Sequence, residues 1–357
     1  MRLKAFCRKN LLLKGIEMES LQKHSEKEKT TVKVSIGIPV YRVESYIERC
    51  ARSLFEQTMQ EGIEFIFVND CTPDRSIEIL KQVLEEYPHR KEQVKILHHD
   101  QNRGLVAARK TALAAACGDY IIHCDSDDWV DKDLYEKMYL KAVEEEADVV
   151  YAPYTTHYGN GKQQVFTLPV FTETTHLLQR VLNDRFHWSI FSKMFHREIA
   201  LSKEIDCPDS VCHSEDLLRV GQMLAKCKKC ASVTDTCYHY FKGNPSSYTG
   251  NFSRKSLDNV LQSIAILENK LPGHYNLDVL KTFSLFLGII YNLFTRKEFY
   301  IRRREISRKR ILKSQQPLAI RLVVLSASFS YILTSHTCNI LLKIRKKLRS
   351  SKKERSE

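Results

Sequence analysis

Short apolar runs alternate with amphipathic stretches over residues 32–124 of the chain. The runs are rich in β-branched and aromatic residues and are flanked by Pro, Gly, Asn or Asp, a pattern that predicts buried strands. The stretches between them carry apolar residues at helical spacing. We therefore predict strands at 32–40, 63–68, 94–98 and 120–124, and helices at 44–58, 75–86 and 105–116. This alternation predicts an α/β fold with a mostly parallel central sheet, flanked by helices and joined by right-handed crossovers.

A polar loop follows each predicted strand. Because the carboxyl ends of parallel strands meet at one edge of a sheet, these loops are expected to gather around one cleft. The chain has no G-x-G-x-x-G after the first strand and no G-x-x-x-x-G-K-[ST] anywhere. These absences argue against a nicotinamide enzyme or a P-loop ATPase, despite the Rossmann-like alternation. The loops contain Pro39-Val40-Tyr41, Asp70, Asn102-Arg103-Gly104 and residues 125–128.

Three carboxylates, those of Asp125, Asp127 and Asp128, follow the fourth predicted strand within four residues. Carboxylates crowded in this way repel one another unless a cation neutralises them. Mg²⁺ and Mn²⁺ prefer oxygen ligands, and Mg²⁺ usually shares its coordination shell with substrate phosphates. The alternative is an acidic loop or helix cap, since Asp caps helices well and Asp131 and Asp133 follow. The carboxylates alone leave both interpretations open.

The order of the motifs resembles the nucleotide-sugar half of family two glycosyltransferases, inverting enzymes of the GT-A fold that serve bacterial glycan synthesis. The resemblance covers about residues 34–151. It rests on the segments IGIPVYRVESYIERCARSLFEQT, IEFIFVNDCTPDRSIEIL and NRGLVAARKTALAAACGDYIIHCDSDD, which occur in the expected order and spacing. It implies donor binding by Pro39, Tyr41, Glu44, Asp70, Arg109, Asp125 and Ser126, and metal binding by Asp127 together with Asp125.

Four of these residues are implied to hold the nucleotide base. In the family, the Pro-Val-Tyr loop and the Asp that ends the second strand bind uracil or another base. By position these residues are Pro39, Tyr41, Glu44 and Asp70. The family usually has two Asp at that strand end, whereas this chain has Asn69 before Asp70. The base contacts are therefore expected to rest on Asp70.

The D-x-D motif of the family corresponds to Asp125-Ser126-Asp127. It is expected to bind Mg²⁺ or Mn²⁺ that bridges the diphosphate, with Asp127 as the direct ligand. Asp125 is expected to face the ribose or the waters of the metal. Such a metal stabilises the negative charge that develops on the leaving nucleoside diphosphate. Arg109 commonly reaches the nucleotide in the family and is expected to assist.

The acceptor half of the family also has counterparts. Residues 188–198 resemble its W-x-K-L-Y-R segment, and Glu215-Asp216 matches its Glu-Asp pair. Inverting transfer is a single displacement, so a base must take the proton of the acceptor hydroxyl. The resemblance implies that Asp216 is this base and that Glu215 binds the acceptor or replaces Asp216. Taken alone, an acidic pair before a predicted helix at 217–226 also fits the preference of helix N-termini for negative charge.

Residues 238–248 resemble a Y-x-Y-R…S-I stretch that lies over the diphosphate in the family. The usual Arg is replaced by Phe241-Lys242, so Lys242 or His239 is the candidate for phosphate contact. The alternative for His239 is a packed, hydrogen-bonded side chain among aromatic residues.

The net charge of +13 belongs to the C-terminal part of the chain. Residues 296–357 contain 18 Lys or Arg and 4 Asp or Glu, whereas the remaining residues carry a net charge of −1. A neutral body argues against nucleic acid as a partner, and a basic tail favours contact with an anionic surface.

Two apolar segments lie in this C-terminal part. Residues 282–294 are too few to span a bilayer. Residues 322–342 are long enough, but Ser326, Ser330, Thr334 and Thr337 form a polar stripe at helical spacing. An amphipathic helix lying on an anionic leaflet is therefore favoured over a membrane span. The other alternative is a solvated basic tail with one packed helix.

Cysteine usage and the N-terminus bear on location. The eleven cysteines are an odd number, and Cys117 and Cys124 lie in apolar runs. Reduced, buried thiols of a cytosolic protein are therefore expected. Cys227 and Cys230 form one C-x-x-C, which leaves open a structural zinc site, although the pairing is not the usual one. No signal peptide is evident, and the polar leader, residues 1–30, is expected to be poorly ordered.

We therefore expect a GT-A glycosyltransferase domain over residues 31–250, with a donor half at 31–151 and an acceptor half at 152–250. A helical, basic extension is expected over 251–357. The expected function is transfer of a sugar from a nucleoside diphosphate donor, a UDP-sugar, to a hydroxyl of a glycan or lipid-linked glycan. The alternatives are a nucleotidyltransferase and an inactive, membrane-associated nucleotide-binding protein. The expected location is the cytoplasm, on the inner face of the cell membrane.

Overall fold

The computed structural model of the protein describes residues 31–184, 188–244, 252–314 and 316–353. The side chains of residues 343–353 are not described, and the predicted leader at 1–30 lies outside the described residues. The strands are β1 Val34–Val40, β2 Ile63–Asn69, β3 Val94–His98, β4 Tyr120–His123, β5 Trp129–Val130, β6 Val149–Tyr151, β7 Tyr154–Tyr158, β8 Gln163–Phe166, β9 Lys193–His196, β10 Cys230–Ser232 and β11 Tyr238–Lys242.

The helices lie between the strands and after them. They are α1 Ile47–Phe55, α2 Ser76–Glu85, α3 Leu105–Ala115, α4 Leu134–Glu144, α5 Thr174–Asn183, α6 Arg197–Ala200, α7 Glu215–Lys226, α8 Arg254–Lys270, α9 Asp278–Ile290, α10 Arg296–Arg304, α11 Arg308–Lys313, α12 Leu318–Ala327 and α13 Tyr331–Lys353. The four strands and three helices predicted between residues 32 and 124 are confirmed, with ends that differ by up to three residues.

The central sheet has seven strands in the order β10-β6-β9-β4-β1-β2-β3. All neighbours are parallel except β9, which runs antiparallel to both β4 and β6. The prediction of a mostly parallel α/β sheet is confirmed. The antiparallel insertion of β9 between β4 and β6 was not predicted, because strand order depends on contacts between distant segments.

Both faces of the sheet are covered, as a parallel sheet requires. Along β2, Phe65 and Phe67 point into one apolar cluster, which packs against α1, α2 and α4. Ile66 and Val68 point into a second cluster on the other face, formed with α3, α5, α7 and α8. This alternation is the two-residue period of a strand. The parallel pairing of β1 with β2 and with β4 places the carboxyl ends of these three strands along one edge.

A second sheet of four short strands was not predicted. Its order is β5-β11-β7-β8. Strand β5 has only two residues and pairs antiparallel with β11, at Val130 with Tyr238 and Trp129 with His239. This pairing brings β11 against the loop at residues 125–128 that follows β4. We call this loop the carboxylate loop, after Asp125, Asp127 and Asp128.

The C-terminal helices form a third apolar cluster of their own. The single helix expected at 322–342 is wrong, because α12 ends at Ala327 and α13 begins at Tyr331. Ser328 Oγ accepts a hydrogen bond from Arg303 Nε at 2.7 Å, and Ser330 Oγ accepts one from the Leu333 amide at 3.4 Å, so polar contacts occupy the break. None of the described helices combines the length and the apolar character needed to cross a membrane.

The cysteines of the described residues are free thiols. Cys124 is buried as predicted, whereas Cys117 is exposed because it lies in the turn between α3 and β4 rather than in the core. Cys227 and Cys230 are buried, and each thiol donates to a backbone carbonyl. Within the described residues no group of three or more His, Cys, Asp or Glu is arranged to hold a metal, which gives the zinc interpretation no support.

Candidate active site

Two of its own side chains, those of Ser126 and Asp128, anchor the carboxylate loop to the rest of the protein. Ser126 is buried, and its Oγ donates to the carbonyl of Pro39 at 2.6 Å. Asp128 is fully buried and accepts from Tyr238 Oη at 2.6 Å and from the Phe241 amide at 2.7 Å. In this structure Ser126 and Pro39 hold the loop on the end of β1. Their predicted contact with the donor stays a prediction.

Tyr238 is a residue of the site that the sequence reasoning missed. Its hydroxyl donates to Asp128 and accepts from the Asp125 amide at 3.0 Å. Burial, with Asp127 and Asp125 nearby, raises the pKa of Asp128 well above its usual value. Tyr238 therefore joins the second sheet to the carboxylate loop. Its position in the Tyr-x-Tyr stretch was the only signal in the sequence.

Ser126 and Asp128 point into the protein, whereas Asp125 and Asp127 stay partly exposed. The Asp125 side chain is 24% exposed. Burial, and next the Asp125 carboxylate, raise the pKa of Asp127 to about 6. Asp127 Oδ2 accepts from Asn244 Nδ2 at 2.9 Å. Two crowded carboxylates, one of which has a raised pKa, form a site that favours a bound cation.

The donor set fits Mg²⁺ or Mn²⁺ only in part. Carboxylate oxygens are the ligands that these ions prefer. Asp125 Oδ1 is hydrogen-bonded to Arg109, so Asp125 and Asp127 supply few free oxygens, and the described residues offer no third carboxylate, His or Cys arranged with them. A metal here would take its remaining ligands from the diphosphate and water, which is the usual mode of Mg²⁺ binding.

Arg109 connects the carboxylate loop with the start of α7. It lies in α3 and is 2% exposed. One terminal nitrogen donates to Glu215 Oε2 at 2.5 Å and to Asp216 Oδ1 at 2.7 Å, and the other donates to Asp125 Oδ1 at 2.7 Å. Burial alone would lower the pKa of Arg109, but the three carboxylates hold it well above its usual value. Direct contact of Arg109 with the nucleotide stays a prediction, since carboxylates already bind both terminal nitrogens.

The predicted pair Glu215-Asp216 divides into a buried and an accessible carboxylate. Glu215 is 2% exposed, and its nearest second cation is Arg219, whose Nε lies 3.8 Å from Oε1. The Asp216 side chain is 29% exposed, and its Oδ2 accepts from the Ile190 amide at 3.3 Å. Burial raises the pKa of Asp216, Arg109 opposes that shift and Glu215 adds to it. Asp216 is therefore the more accessible carboxylate of the pair, and its role as the base stays a prediction.

Asp70 lies at the end of β2, as predicted, but its carboxylate is engaged within the protein. Oδ1 contacts His99 Nδ1 at 2.7 Å and accepts from the Arg103 amide at 2.8 Å, and Oδ2 accepts from the Gly104 amide at 2.8 Å. These bonds shape the loop that leads into α3. The contact of Asp70 with a nucleotide base stays a prediction.

Tyr41 and Glu44 lie in the loop after β1, on the same edge as the carboxylate loop. Tyr41 is 38% exposed, with the Arg42 guanidinium 5.3 Å from its ring centroid. Glu44 is exposed and accepts from the Arg75 amide at 3.1 Å. Tyr41 is thus an exposed aromatic side chain just after the end of β1, and the Glu44 side chain joins the loops after β1 and β2.

His239 is held among other side chains. Its Nε2 lies 2.9 Å from Asp131 Oδ1, its Nδ1 lies 3.0 Å from His157 Nε2, and its ring stacks on Trp129 at 5.1 Å. This geometry favours the packed interpretation over phosphate contact. Lys242 is exposed, with Nζ 5.9 Å from the Tyr158 ring centroid. Residues 245–248 of the same stretch lie outside the described residues.

Two groups of side chains meet at the Arg109 guanidinium. One group is Asp125 with its neighbour Asp127, two partly exposed carboxylates of the kind that bind cations. The other is Asp216, a partly exposed carboxylate that Arg109 also binds. Such an arrangement suits the transfer of a group from a diphosphate donor to a nucleophile that gives up its proton.

Comparison with known proteins agrees with this geometry. The sequence model of the family described as Glycosyl transferase family 2 matches residues 35–213. The chain is also similar to EpsJ of Bacillus subtilis, which is described as an uncharacterized glycosyltransferase. The identity is 29% over 253 residues, which make up 68% of this chain and 71% of EpsJ.

Solved structures share the fold. The S. aureus TarS structure in complex with UDP-GlcNAc aligns with a TM-score of 0.64 and 17% identity, over 87% of this chain and 91% of that chain. The mannosyltransferase PcManGT from Pyrobaculum calidifontis in complex with GDP-Man and Mn²⁺ aligns with a TM-score of 0.51 and 13% identity, over 86% of this chain and 87% of that chain. The predicted GT-A-like fold with C-terminal helices is confirmed.

Proposed function

The chain belongs to glycosyltransferase family 2, and on that premise we propose that it transfers a hexosyl group from a UDP-sugar to a hydroxyl of a glycan or lipid-linked glycan. The observation that carries the proposal is the position of Arg109. Its guanidinium binds the first Asp of the D-x-D motif at 2.7 Å and Asp216 at 2.7 Å. This bridge supports a site in which the D-x-D motif and the proposed base act on the same substrate pair.

Asp216 acts as the base of a single displacement. Its partly exposed carboxylate takes the proton of the acceptor hydroxyl while the hydroxyl oxygen attacks the anomeric carbon and the bond to the diphosphate breaks. Burial raises the pKa of Asp216, which makes the carboxylate a stronger base. Arg109 and the Ile190 amide hold one oxygen each, so the carboxylate keeps one orientation.

The donor half binds the nucleoside diphosphate. Asp127 and Asp125 would hold Mg²⁺ or Mn²⁺, which would supply positive charge for the leaving diphosphate. The Mn²⁺ of the GDP-Man complex of PcManGT supports a metal of this kind, and the UDP-GlcNAc of TarS supports uracil as the base. Tyr41, Glu44 and the region of Asp70 border the place for the base at the ends of β1 and β2.

Calorimetric titration of UDP and of GDP, each with and without MnCl₂, tests the donor assignment. We expect UDP to bind in a metal-dependent manner and more tightly than GDP. Binding of neither nucleotide under any condition would contradict the proposal.

The variant Asp216→Asn tests the base. It should keep UDP affinity within about twofold, because Asp216 does not contact the nucleotide in this proposal. Release of UDP from UDP-GlcNAc or UDP-glucose should fall by about 10²–10⁴-fold. Asp209→Asn is a matched control, because Asp209 is 60% exposed and pairs only with Lys110 in the described residues. Retained turnover in Asp216→Asn would move the base role elsewhere.

We also propose that the C-terminal helices dock on an anionic leaflet at the inner face of the cell membrane. Residues 306–353 contain 12 Lys or Arg and no Asp or Glu. The Phe329 side chain is 76% exposed, and the Arg308 guanidinium lies 5.1 Å from its ring centroid. The other exposed apolar side chains of α12 and α13 include Leu318, Leu322, Ile332, Leu333, Ile340 and Leu341. Apolar side chains beside basic ones are the pattern of a helix that inserts shallowly into anionic lipid.

Flotation with vesicles of phosphatidylglycerol and of phosphatidylcholine tests this docking. We expect binding to the anionic vesicles alone, weakened by salt. Phe329→Ser with Leu333→Ser should lower that binding at least tenfold, whereas Leu140→Ser, at a 59% exposed position of α4, should not change it. Equal loss in the control would contradict the proposal. Self-association detected by sedimentation, with no vesicle binding, would assign the surface to a second copy of the chain.

A further inference from the structure

Lys193 is a buried cation that the proposed mechanism does not use. It is the first residue of β9, and its side chain is 1% exposed. Its Nζ donates to the Ser189 carbonyl at 2.8 Å and to Ser192 Oγ at 3.2 Å. Among the described residues it forms no salt bridge. A buried ammonium without a paired carboxylate is costly to the fold, so the groups that it binds are the guide to its role.

The carbonyl that Lys193 binds belongs to the peptide unit that also holds Asp216. The Ser189 carbonyl and the Ile190 amide are the two polar groups of one peptide bond. In a planar trans peptide these groups point in opposite directions. Lys193 Nζ lies on the carbonyl side, and Asp216 Oδ2 accepts from the amide side at 3.3 Å. Lys193 therefore helps to orient the Ser189–Ile190 peptide plane. The orientation of that plane sets the direction of the Ile190 amide.

Further hydrogen bonds hold residues 189–193 in a turn. The Lys193 amide donates to the Ile190 carbonyl at 3.1 Å, and the Ser189 and Ser192 hydroxyls lie 3.0 Å apart. The Ser192 carbonyl accepts from the Ala152 amide at 3.0 Å, which fixes the turn to the end of β6. These bonds hold the turn in place. The peptide between Ser189 and Ile190 is the part of the turn that contacts Asp216.

We propose that Lys193 is a positioning residue for the base: its ammonium orients the Ser189–Ile190 peptide so that the amide holds Asp216 Oδ2 toward the acceptor. This inference rests on the proposed function, in which Asp216 takes the proton of the acceptor hydroxyl. Lys193 does not contact the donor or the acceptor in this arrangement and acts only through the peptide and through its charge.

Electrostatics gives the inference a measurable consequence. Burial lowers the pKa of Lys193 to about 7, and the Asp216 carboxylate opposes that shift. The charged groups that act on Asp216 are Arg109 and Lys193, which favour its ionised form, and Glu215, which opposes it. Below a pH of about 7, removing Lys193 takes away a positive charge, and it also loosens the hydrogen bond from the Ile190 amide to Asp216. Both changes raise the pKa of the base, so the acidic limb of the rate profile should move to higher pH.

The test compares Lys193→Met with Arg90→Met. Arg90 is also a fully buried cation that donates mainly to backbone carbonyls. Those carbonyls belong to Phe55, the last residue of α1, and to residues that follow it, none of which contacts Asp216 in the described residues. The rate of UDP release from UDP-GlcNAc is measured with MnCl₂ between pH 5 and 9. For Lys193→Met we expect at least a tenfold lower kcat, an acidic limb moved to higher pH, and UDP affinity within about twofold of wild type. Arg90→Met should lose stability and keep the wild-type profile.

Two further variants keep the result interpretable. Lys193→Arg preserves the charge and a donor, and should recover part of the kcat. If Lys193→Met does not fold, Ser192→Ala removes one acceptor of the ammonium and should move the profile in the same direction by a smaller amount. Addition of Lys193→Met to Asp216→Asn should cause no further loss of rate, because both changes act on one group.

The outcomes separate the inference from the proposed function. If Asp216→Asn abolishes turnover but Lys193→Met keeps the wild-type pH profile, Lys193 is not a positioning residue and Asp216 remains the base. If Asp216→Asn keeps turnover, the base assignment fails and the role of Lys193 through it fails as well.

Discussion

Replacing Arg109 by Met removes the cation that binds three carboxylates of the site. The guanidinium is 2% exposed and donates to Asp125, Glu215 and Asp216 at 2.5–2.7 Å. Methionine fills much of the volume but donates no hydrogen bond. Glu215, itself 2% exposed, would keep only the Arg219 contact at 3.8 Å. The variant therefore leaves a buried carboxylate without a close partner.

The expected loss of stability follows from this burial. Breaking a buried ion pair by removing one partner costs about 3–5 kcal/mol. The side chains of Asp125 and Asp216 are 24% and 29% exposed, so water can replace part of what they lose. We therefore expect a loss in the lower half of that range, about 3–4 kcal/mol. With a urea m-value of about 3 kcal/mol/M, the unfolding midpoint should fall by about 1–1.3 M.

The loss of stability should be larger at high pH than at low pH. Burial raises the pKa of Asp216, and Arg109 counteracts that rise, so the variant should have a still higher pKa at Asp216. A carboxyl whose pKa is higher in the folded than in the unfolded state destabilises the fold above its folded pKa. That penalty disappears as the pH falls below the unfolded value of about 3.9. The stability deficit of Arg109→Met should therefore be largest near pH 8 and shrink as the pH falls toward 5.

Urea titrations followed by circular dichroism at pH 5, 6, 7 and 8 measure both effects. Arg52→Met is the matched control, because Arg52 pairs with Glu86 at 2.8 Å on the surface, with 34% of its side chain exposed. Exposed ion pairs contribute about 0–1 kcal/mol. A deficit for Arg109→Met no larger than that of Arg52→Met, or one that does not change with pH, would refute the bridging role of Arg109.

Three further predictions concern the carboxylate loop and the base region. Asp127→Asn should weaken Mn²⁺-dependent UDP binding at least tenfold in calorimetry while changing metal-free binding little; unchanged metal dependence would remove Asp127 from the metal site. Tyr238→Phe should cost about 1–3 kcal/mol in urea unfolding, because Asp128 loses one of its two hydrogen bonds; a change below 0.5 kcal/mol would contradict the anchoring role. Asp70→Asn should lower stability by a similar amount, since an amide group would face the amides of Arg103 and Gly104. If Asp70 also binds the nucleotide base, the affinity for UDP should fall more than the affinity for GDP. Equal falls in the two affinities would mean that Asp70 only shapes the loop.

The first four strands illustrate what the sequence predicts well. Each is a short apolar run rich in β-branched or aromatic residues and ends at a polar loop, so the local pattern contains the information that the structure uses. Strand β5 illustrates the opposite case. Its two residues show no period, and it becomes a strand only because Tyr238 and His239, more than a hundred residues later, pair with it.

The candidate site shows the same division. Asp125, Asp127 and Asp216 were chosen from motifs, and the structure brings Asp125 and Asp216 to one guanidinium, that of Arg109. The roles of Arg109, Ser126 and Asp70 were assigned to the donor by resemblance. In the structure their side chains hold loops of the site together, and their contacts with the donor stay predictions.

The sequence by itself determined the alternation of strands and helices, the edge at which the polar loops collect, and the separation of a neutral body from a basic tail. Periodicity and charge are properties of neighbouring residues, so they can be found without coordinates. Only the tertiary structure decided which carboxylates are buried and which are partly exposed. Arg109 lies 106 residues from Glu215, and Asp128 lies 110 residues from Tyr238. The exposure and pKa of each carboxylate depend on such distant partners, because burial and hydrogen bonding are set by packing in space rather than by order along the chain.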